Sequence, residues 1–279
     1  MSVPSPEPDA DLKIRHIEVD GLRLRTSERG AGRPLLVLTG IGAPLELSAP
    51  FEREVNPYGV RTITLDAPGT GDSDRYKVPR RMPGLARTVV GVLDALGLGE
   101  VDVLGLSFGG ILAQQLAHTA PERVRKLVLV ATAPGVAGLG GIPGSPQVLR
   151  IMSTPRRYNS PDYFREVAGT IYGGEARRDP EAHLHGSVAR FAHAPSTRGY
   201  LAQLYALTLW TGLPWLWRLE APTLVLAGDD DPIIPLANGR ILARAIPGAR
   251  LEVIRGGGHL FMLERPAETA ALVAAFLAE

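Results

Sequence analysis

Short apolar runs alternate with amphipathic stretches along much of the chain. The runs at 35–39, 62–65, 101–106 and 127–130 are too short for helices and are rich in leucine and valine. Such runs predict strands that are covered on both faces. Between the second and third runs, apolar side chains recur at helical spacing from Leu85 to Leu96, which predicts a helix. A further helix is predicted at 107–118, directly after the third run.

The alternation returns near the carboxyl end of the chain. Strands are predicted at 223–227 and 251–254, and helices at 236–245 and 266–277. At the other end, strands at 16–19 and 22–26 flank the turn pair Asp20-Gly21, which is typical of a β-hairpin. Together these elements predict an α/β protein with a mostly parallel central sheet and helices on both of its faces.

The alternation breaks down between about 134 and 219. Glycine and proline cluster at 134–146, and aromatic-rich helical stretches follow. We interpret 134–219 as a helical cap, inserted between two parts of an α/β core at 12–133 and 220–279. The cap contains all three tryptophans, either as core of a small helical subdomain or as an apolar wall above a pocket. Residues 1–11, with three prolines, are expected to form a disordered leader.

Composition excludes several classes of protein. The 279 residues include 30 Lys and Arg against 29 Asp and Glu, a net charge of +1 that gives no basic field for nucleic acid. Cysteine is absent, which excludes disulfides and thiolate chemistry. No run of 18 apolar residues predicts a transmembrane segment, and the first residues lack the order of a secretion signal. We therefore expect a cytoplasmic protein with a small or neutral partner.

The strongest chemical signal is Gly105-Leu106-Ser107-Phe108-Gly109, placed where a predicted strand ends and a helix begins. A serine on so tight a turn exposes its oxygen, and the flanking glycines leave room for the strand and helix to cross. A structural Gly-Ser turn is the simpler interpretation of so short a motif. The strand and helix around it favour Ser107 as a nucleophile.

A serine nucleophile needs a base, and histidine suits neutral pH. His259 follows three glycines after the last predicted strand, on a loop that can reach the serine. The cap histidines His183, His185 and His193 are expected on exposed surface. The base in turn needs a carboxylate, and the loop 228–232 offers three aspartates, of which one would orient His259. The other two are expected to cap the next helix or to face water.

An ester hydrolase also needs main-chain donors for the oxyanion. The amide of Phe108, at the start of the predicted helix, is one candidate. The second is the amide of Ile41, in the glycine-containing turn 39–42 after a predicted strand. The turn at 66–73 is expected to shape the sheet edge without a catalytic role.

From about 35 to 277 the chain resembles intracellular medium-chain-length poly(3-hydroxyalkanoate) depolymerases, which are α/β hydrolases. Similar stretches beyond the serine motif are 40–43, 45–47, 113–115, 155–158, 171–174, 178–180 and 224–235. The resemblance implies the α/β-hydrolase fold, with Ser107 as nucleophile, His259 as base and Asp231 as the acid. The chain departs from that pattern at Thr39, where asparagine is expected, and at Phe108, where many members carry tryptophan.

The activity implied by the resemblance is hydrolysis of ester bonds in an aliphatic polyester through an acyl-enzyme, with no cofactor or metal. A storage-granule surface is the implied partner. The same three residues would also serve a soluble carboxylesterase, a carbon–carbon-bond hydrolase or a perhydrolase. From a different class, the chain would be a ligand receptor or granule-coat protein that retains a hydrolase shell.

Overall fold

The computed structural model describes residues 11–181, 183 and 189–279, so the expected leader lies outside the described residues except for Asp11. Eight strands form one sheet. They are β1 (Lys13–Val19), β2 (Leu22–Arg29), β3 (Arg33–Leu38), β4 (Val60–Leu65), β5 (Val101–Leu106), β6 (Val124–Val130), β7 (Thr223–Gly228) and β8 (Arg250–Ile254). Their order across the sheet is β1-β2-β4-β3-β5-β6-β7-β8.

The sheet is mostly parallel, as predicted. β1 and β2 form an antiparallel hairpin, and β2 also runs antiparallel to β4, whereas every later pairing is parallel. The hairpin turns at Asp20 and Gly21, whose φ angles of 52° and 71° are those a two-residue turn requires. The edge strands β1 and β8 are largely exposed, while β5 and β7 are buried along their whole length.

Helices cover both faces of the sheet. Outside the segment between β6 and β7 they are α1 (Ala49–Val55), α2 (Met82–Ala95), α3 (Phe108–Thr119), α10 (Ala237–Ala245), α11 (Phe261–Glu264) and α12 (Pro266–Ala278). Side chains alternate along β3: Leu36 packs in the layer that contains α2 and α3, and Leu35 in the opposite layer with α1 and α12. This period of two is why the buried strands read as continuous apolar runs.

The segment between β6 and β7 is helical. It contains α4 (Pro146–Met152), α5 (Arg156–Asn159), α6 (Pro161–Tyr172), α7 (Gly174–Arg178), α8 (Ala189–Ala192) and α9 (Thr197–Leu207), which we call the cap helices. Three of them begin at a serine cap: the hydroxyls of Ser145, Ser160 and Ser196 accept main-chain hydrogen bonds of 3.3, 3.2 and 3.0 Å. In the described part of the chain, no helix has both the length and the apolar character needed to cross a bilayer.

The sheet determines where chemistry is possible. Because these strands are parallel, their carboxyl ends lie at the same edge of the sheet. The loops that follow β3, β5, β7 and β8 therefore meet there. The cap helices contact this same edge, since the hydroxyl of Tyr158 in α5 donates to the carbonyl of Ile41 after β3, at 2.7 Å. Side chains on these loops are therefore brought together beneath the cap helices.

Candidate active site

Ser107 lies at the turn from β5 into α3 in a strained conformation. Its φ of 56° and ψ of −115° lie outside the regions that residues with a side chain favour. Close packing maintains this turn, because a Cβ on Gly109 would come within 2.0 Å of the carbonyl oxygen of Leu38. The Ser107 hydroxyl is thereby directed to the edge of the sheet where the loops meet.

The structure brings Ser107, His259 and Asp231 into one hydrogen-bonded series. His259 Nε2 lies 3.0 Å from Ser107 Oγ, and His259 Nδ1 lies 2.8 Å from Asp231 Oδ2. The other carboxylate oxygen, Oδ1, accepts the amides of Ile233 and Ile234, each at 2.9 Å. The histidine and aspartate side chains are only 4% and 1% exposed. Their mutual orientation is thus fixed away from solvent.

The two neighbouring aspartates neither cap the next helix nor simply face water. Asp229 accepts the amide of Gly256 at 2.5 Å, which ties the loop after β7 to the loop after β8. Asp230 accepts the amide of Gly174 at 2.8 Å and pairs with Arg177 at 2.6 Å. These two carboxylates therefore fasten the His259 loop and the cap helices to the loop that carries Asp231.

The candidate oxyanion donors flank Ser107. A Cβ on Gly40 would lie 3.8 Å from the Ser107 Cβ, so the turn after β3 borders the serine directly. Phe108 begins α3, where a helix offers its first amides no internal acceptor. Within the described residues, neither the Phe108 amide nor the Ile41 amide has an acceptor. Both amides are thus available to a bound group.

Two cap side chains hold the turn that contains Ile41. Tyr158 binds the Ile41 carbonyl, as described above, and Gln203 accepts the adjacent Gly42 amide at 2.8 Å. The amide group of Gln203 also donates to Thr70 at 2.6 Å. These contacts leave no signal in the sequence, because Gln203 lies more than 160 positions from Gly42.

A cavity of about 560 Å³, a space that includes solvent at its mouth, opens beside Ser107 and His259. Its wall is mainly apolar, with Met152, Ile233, Leu260, Met262 and Leu263 among the residues that line it. Tyr158 and Tyr172 supply the aromatic part of the wall, and Arg157 and Arg190 are charged members of it. The cavity can therefore take an alkyl or acyl group next to the serine.

The tryptophans do not line this cavity. Trp210 is buried and its indole donates to Gln115 at 2.9 Å, while Trp215 stacks on His118 with ring centroids 4.2 Å apart. Trp217 is exposed. Gln115 and His118 both lie in α3, so Trp210 and Trp215 pack the helical segment against the α/β core and form neither a separate core of that segment nor a wall of the cavity.

The expected exposure of the cap histidines is wrong for His183. Its ring is buried against Phe164, and its Nδ1 lies 3.1 Å from a carboxylate oxygen of Glu264. The local sequence around His183 is polar and predicts exposure. The contact could not be predicted from it, because Glu264 belongs to a helix about 80 positions away. His193 is half-buried, between Glu46 and Asp72, and His185 lies outside the described residues.

The turn at 66–73 helps to build the sheet edge. Asp66 is buried and accepts the Leu45 amide at 2.7 Å and a hydrogen bond from Arg25 at 3.2 Å. Burial raises the pKa of Asp66 to about 6, although Arg25 opposes the change.

Among the described residues, no group of three or more histidine, aspartate or glutamate side chains is arranged to hold a metal ion.

A parallel sheet with a serine at the sharp turn from a strand into a helix is the architecture of α/β hydrolases. Residues 33–266 match the α/β hydrolase fold family, and the chain belongs to that family. The fold class expected from the sequence is therefore confirmed.

Individual proteins within this family are also similar to the chain. A poly(3-hydroxyalkanoate) depolymerase from Ectopseudomonas oleovorans is 47% identical over 268 residues, covering 95% of this chain and 92% of the relative. A 2-hydroxymuconate semialdehyde hydrolase from Pseudomonas sp. strain CF600 is 33% identical over 291 residues, covering 100% and 98%. The crystal structure of the enol-lactonase from Burkholderia xenovorans LB400 has a TM-score of 0.81 at 25% identity, covering 95% and 100%. The resemblance to the depolymerases is confirmed.

Proposed function

We propose that this chain is a serine hydrolase that cleaves the ester bonds of poly(3-hydroxyalkanoate), with side chains of medium length. The observation that carries the proposal is the series Ser107, His259 and Asp231 beside an apolar cavity. The 47% identity to a poly(3-hydroxyalkanoate) depolymerase supports the substrate.

In the proposed reaction, Ser107 Oγ attacks the ester carbonyl while His259 Nε2 takes the hydroxyl proton. Asp231 holds the imidazole with its proton on Nδ1 and stabilises the imidazolium. The amides of Ile41 and Phe108 stabilise the tetrahedral oxyanion. His259 then gives the proton to the departing alkoxide, and water repeats the sequence on the acyl group at Ser107.

The cavity supports an aliphatic acyl group. Side chains such as Leu260, Met262 and Ile233 present hydrocarbon next to the serine, and burial of each methylene of a substrate side chain contributes about 0.8 kcal/mol. Substrates should therefore be cleaved faster as the side chain lengthens, until the cavity is filled.

The experiment is product analysis on suspensions of polyesters that differ in side-chain length. We expect 3-hydroxy acids from the medium-chain polymer and none from the Ser107→Ala variant. Ser153→Ala, at an exposed cap position, is the matched control and should keep full release. Undiminished release by Ser107→Ala would overturn the proposed nucleophile, and no release by the wild type would overturn the substrate.

A second candidate is a carbon–carbon-bond hydrolase, which the 33% identity to 2-hydroxymuconate semialdehyde hydrolase favours. The same three residues would serve that reaction. Spectrophotometric assay of the coloured dienoate substrate of such an enzyme, beside the polyester assay, separates the two. Turnover of the dienoate alone would support the second candidate.

The proposal places the reaction in the cytoplasm, at the surface of storage granules, because the polymer is insoluble and intracellular in the family that the chain resembles. Sedimentation with isolated granules tests this placement. Protein that stays wholly in the supernatant would contradict it.

A further inference from the structure

Two buried arginines line the same cavity as Ser107. Arg157 lies on α5 and Arg190 on α8, and each residue is only 1% exposed to solvent. Lysine and arginine side chains are almost never fully buried unless they are paired. Two such cations beside a candidate nucleophile therefore need an explanation.

Tyrosine hydroxyls are the main partners of these guanidinium groups. Arg157 donates to the hydroxyl of Tyr172 at 3.1 Å, to that of Tyr200 at 2.8 Å, and to the carbonyl of Thr154 at 3.2 Å. Arg190 donates to the same Tyr172 hydroxyl at 2.9 Å. No carboxylate of the described residues pairs with either guanidinium, and Nε of Arg190 is buried without a partner among them.

Local ionisation cannot balance both charges. Arginine stays protonated in proteins, so neither cation is removed by burial. Burial acts to raise the pKa of Tyr172, but the two guanidinium groups outweigh it and lower that pKa below its ordinary value. Even a phenolate at Tyr172 would neutralise only one of the two arginines. Aromatic rings offset part of the cost, since the guanidinium of Arg190 lies 4.2 Å from the centroid of the Phe164 ring, but a neutral ring does not cancel a charge. A buried charge without a counter-ion is unfavourable, so the cluster favours an anion in the cavity.

We propose that Arg157 and Arg190 form a carboxylate subsite that receives the free acid end of the polyester chain. This inference rests on the proposed function. The guanidinium of Arg190, whose Nε has no partner among the described residues, can match a carboxylate with two parallel hydrogen bonds, which a neutral ester carbonyl in mid-chain cannot accept in the same way. Arg157, whose Nε and Nη1 already donate to tyrosine hydroxyls, contributes mainly its charge. The enzyme would therefore cleave the terminal ester bond and release monomers.

The chemistry of the last unit agrees with a single cavity. In a 3-hydroxyalkanoate unit, two carbon–carbon bonds separate the carboxylate carbon from the carbon that carries the ester oxygen. Attack by Ser107 forms the acyl bond to the rest of the chain and breaks the bond to that oxygen. The oxygen takes the proton from His259, and the 3-hydroxy acid leaves with its carboxylate on the arginines.

The test compares a 3-hydroxyalkanoate dimer that has a free carboxylate with the methyl ester of the same dimer. We expect wild-type kcat/KM to favour the free acid by about 10- to 100-fold, the effect of one or two hydrogen bonds to a charged group. Arg190→Met should remove this preference, so that kcat/KM of the variant is the same within about twofold for the free acid and for the methyl ester. Arg156→Met, next to Arg157 but exposed, is the matched control and should keep it. Equal cleavage of both dimers by the wild type would overturn the subsite.

A binding measurement on the wild type needs neither turnover nor a stable variant. A 3-hydroxyalkanoate monomer should bind at least about tenfold more tightly than its methyl ester by calorimetry, whatever bond the enzyme cleaves. Equal affinities would overturn the subsite. If neither dimer is cleaved but the acid binds preferentially, the proposed function fails and the carboxylate subsite stands.

Discussion

Replacement of Asp231 by asparagine tests how His259 is oriented. Oδ1 of Asp231 accepts the amides of Ile233 and Ile234, so an asparagine must place its carbonyl oxygen there and its NH₂ group towards His259. Nδ1 would then have to accept a hydrogen bond, which moves the imidazole proton to Nε2. That nitrogen could no longer accept the proton of Ser107.

The expected loss of activity follows from the short contact between the imidazole of His259 and the carboxylate of Asp231. Opposite charges 2.8 Å apart, the distance from Nδ1 to Oδ2, attract by about 6 kcal/mol at an effective dielectric constant of about 20. The imidazolium forms only as the reaction proceeds, so this attraction favours the transition state over the ground state. Its loss corresponds to about 10⁴-fold in kcat.

The assay is kcat/KM for a medium-chain nitrophenyl ester, with a melting curve to show that the variant is folded. Asp230→Asn is the control, since its half-exposed carboxylate contacts Gly174 and Arg177 and not His259. We expect a change of about fivefold at most in the control, as for an exposed ion pair. An Asp231→Asn variant that keeps a tenth of the wild-type value would refute the reasoning.

Three further predictions concern the surroundings of the site. Gln203→Leu leaves the buried Gly42 amide without its acceptor, at a cost of about 1–3 kcal/mol, and should lower kcat about tenfold with little change in KM, whereas Gln203→Glu should restore kcat. Gly109→Ala should unfold the protein at a much lower temperature, because its Cβ would lie 2.0 Å from a carbonyl oxygen; Gly99→Ala, with no atom within 4 Å, should not. Since the pKa of Asp66 rises from 3.8 to about 6 on folding, the stability from its protonated form is complete below about pH 4 and is lost as the pH rises through 6. In urea titrations the free energy of unfolding of Asp66→Asn, relative to that of the wild type, should rise by about 2 kcal/mol between pH 4 and pH 7, and parallel curves would contradict this.

Much of the core could be predicted because burial on both faces leaves a strong signal. β5 and β7 are buried along their length, and their sequences are correspondingly apolar. Parallel strands open at one edge, which is why residues as distant as Ser107 and His259 could be expected to meet. The orientation of those side chains could not be predicted from the sequence. It depends on main-chain contacts such as the hydrogen bond from the His259 amide to the Tyr172 carbonyl, at 2.6 Å.

The sequence carries a signal for the starts of two cap helices, α4 and α6. Ser145 and Ser160 each precede a proline, and a serine cap before proline at the first helical position marks a helix start. No comparable signal in the sequence indicates that the two cavity arginines are buried. Arg157 and Arg190 are of a residue type that is mostly exposed, and only the folded chain shows that both line the cavity.

The central claim is that Ser107 carries the acyl group during ester hydrolysis. The most direct measurement is mass spectrometry of the protein quenched during turnover of a 3-hydroxyalkanoate dimer, followed by peptide mapping. We expect the mass of one 3-hydroxyacyl group on the peptide that contains Ser107, and no such adduct in Ser107→Ala. Turnover at the wild-type rate with the acyl group on another residue, or by the Ser107→Ala variant, would contradict the account.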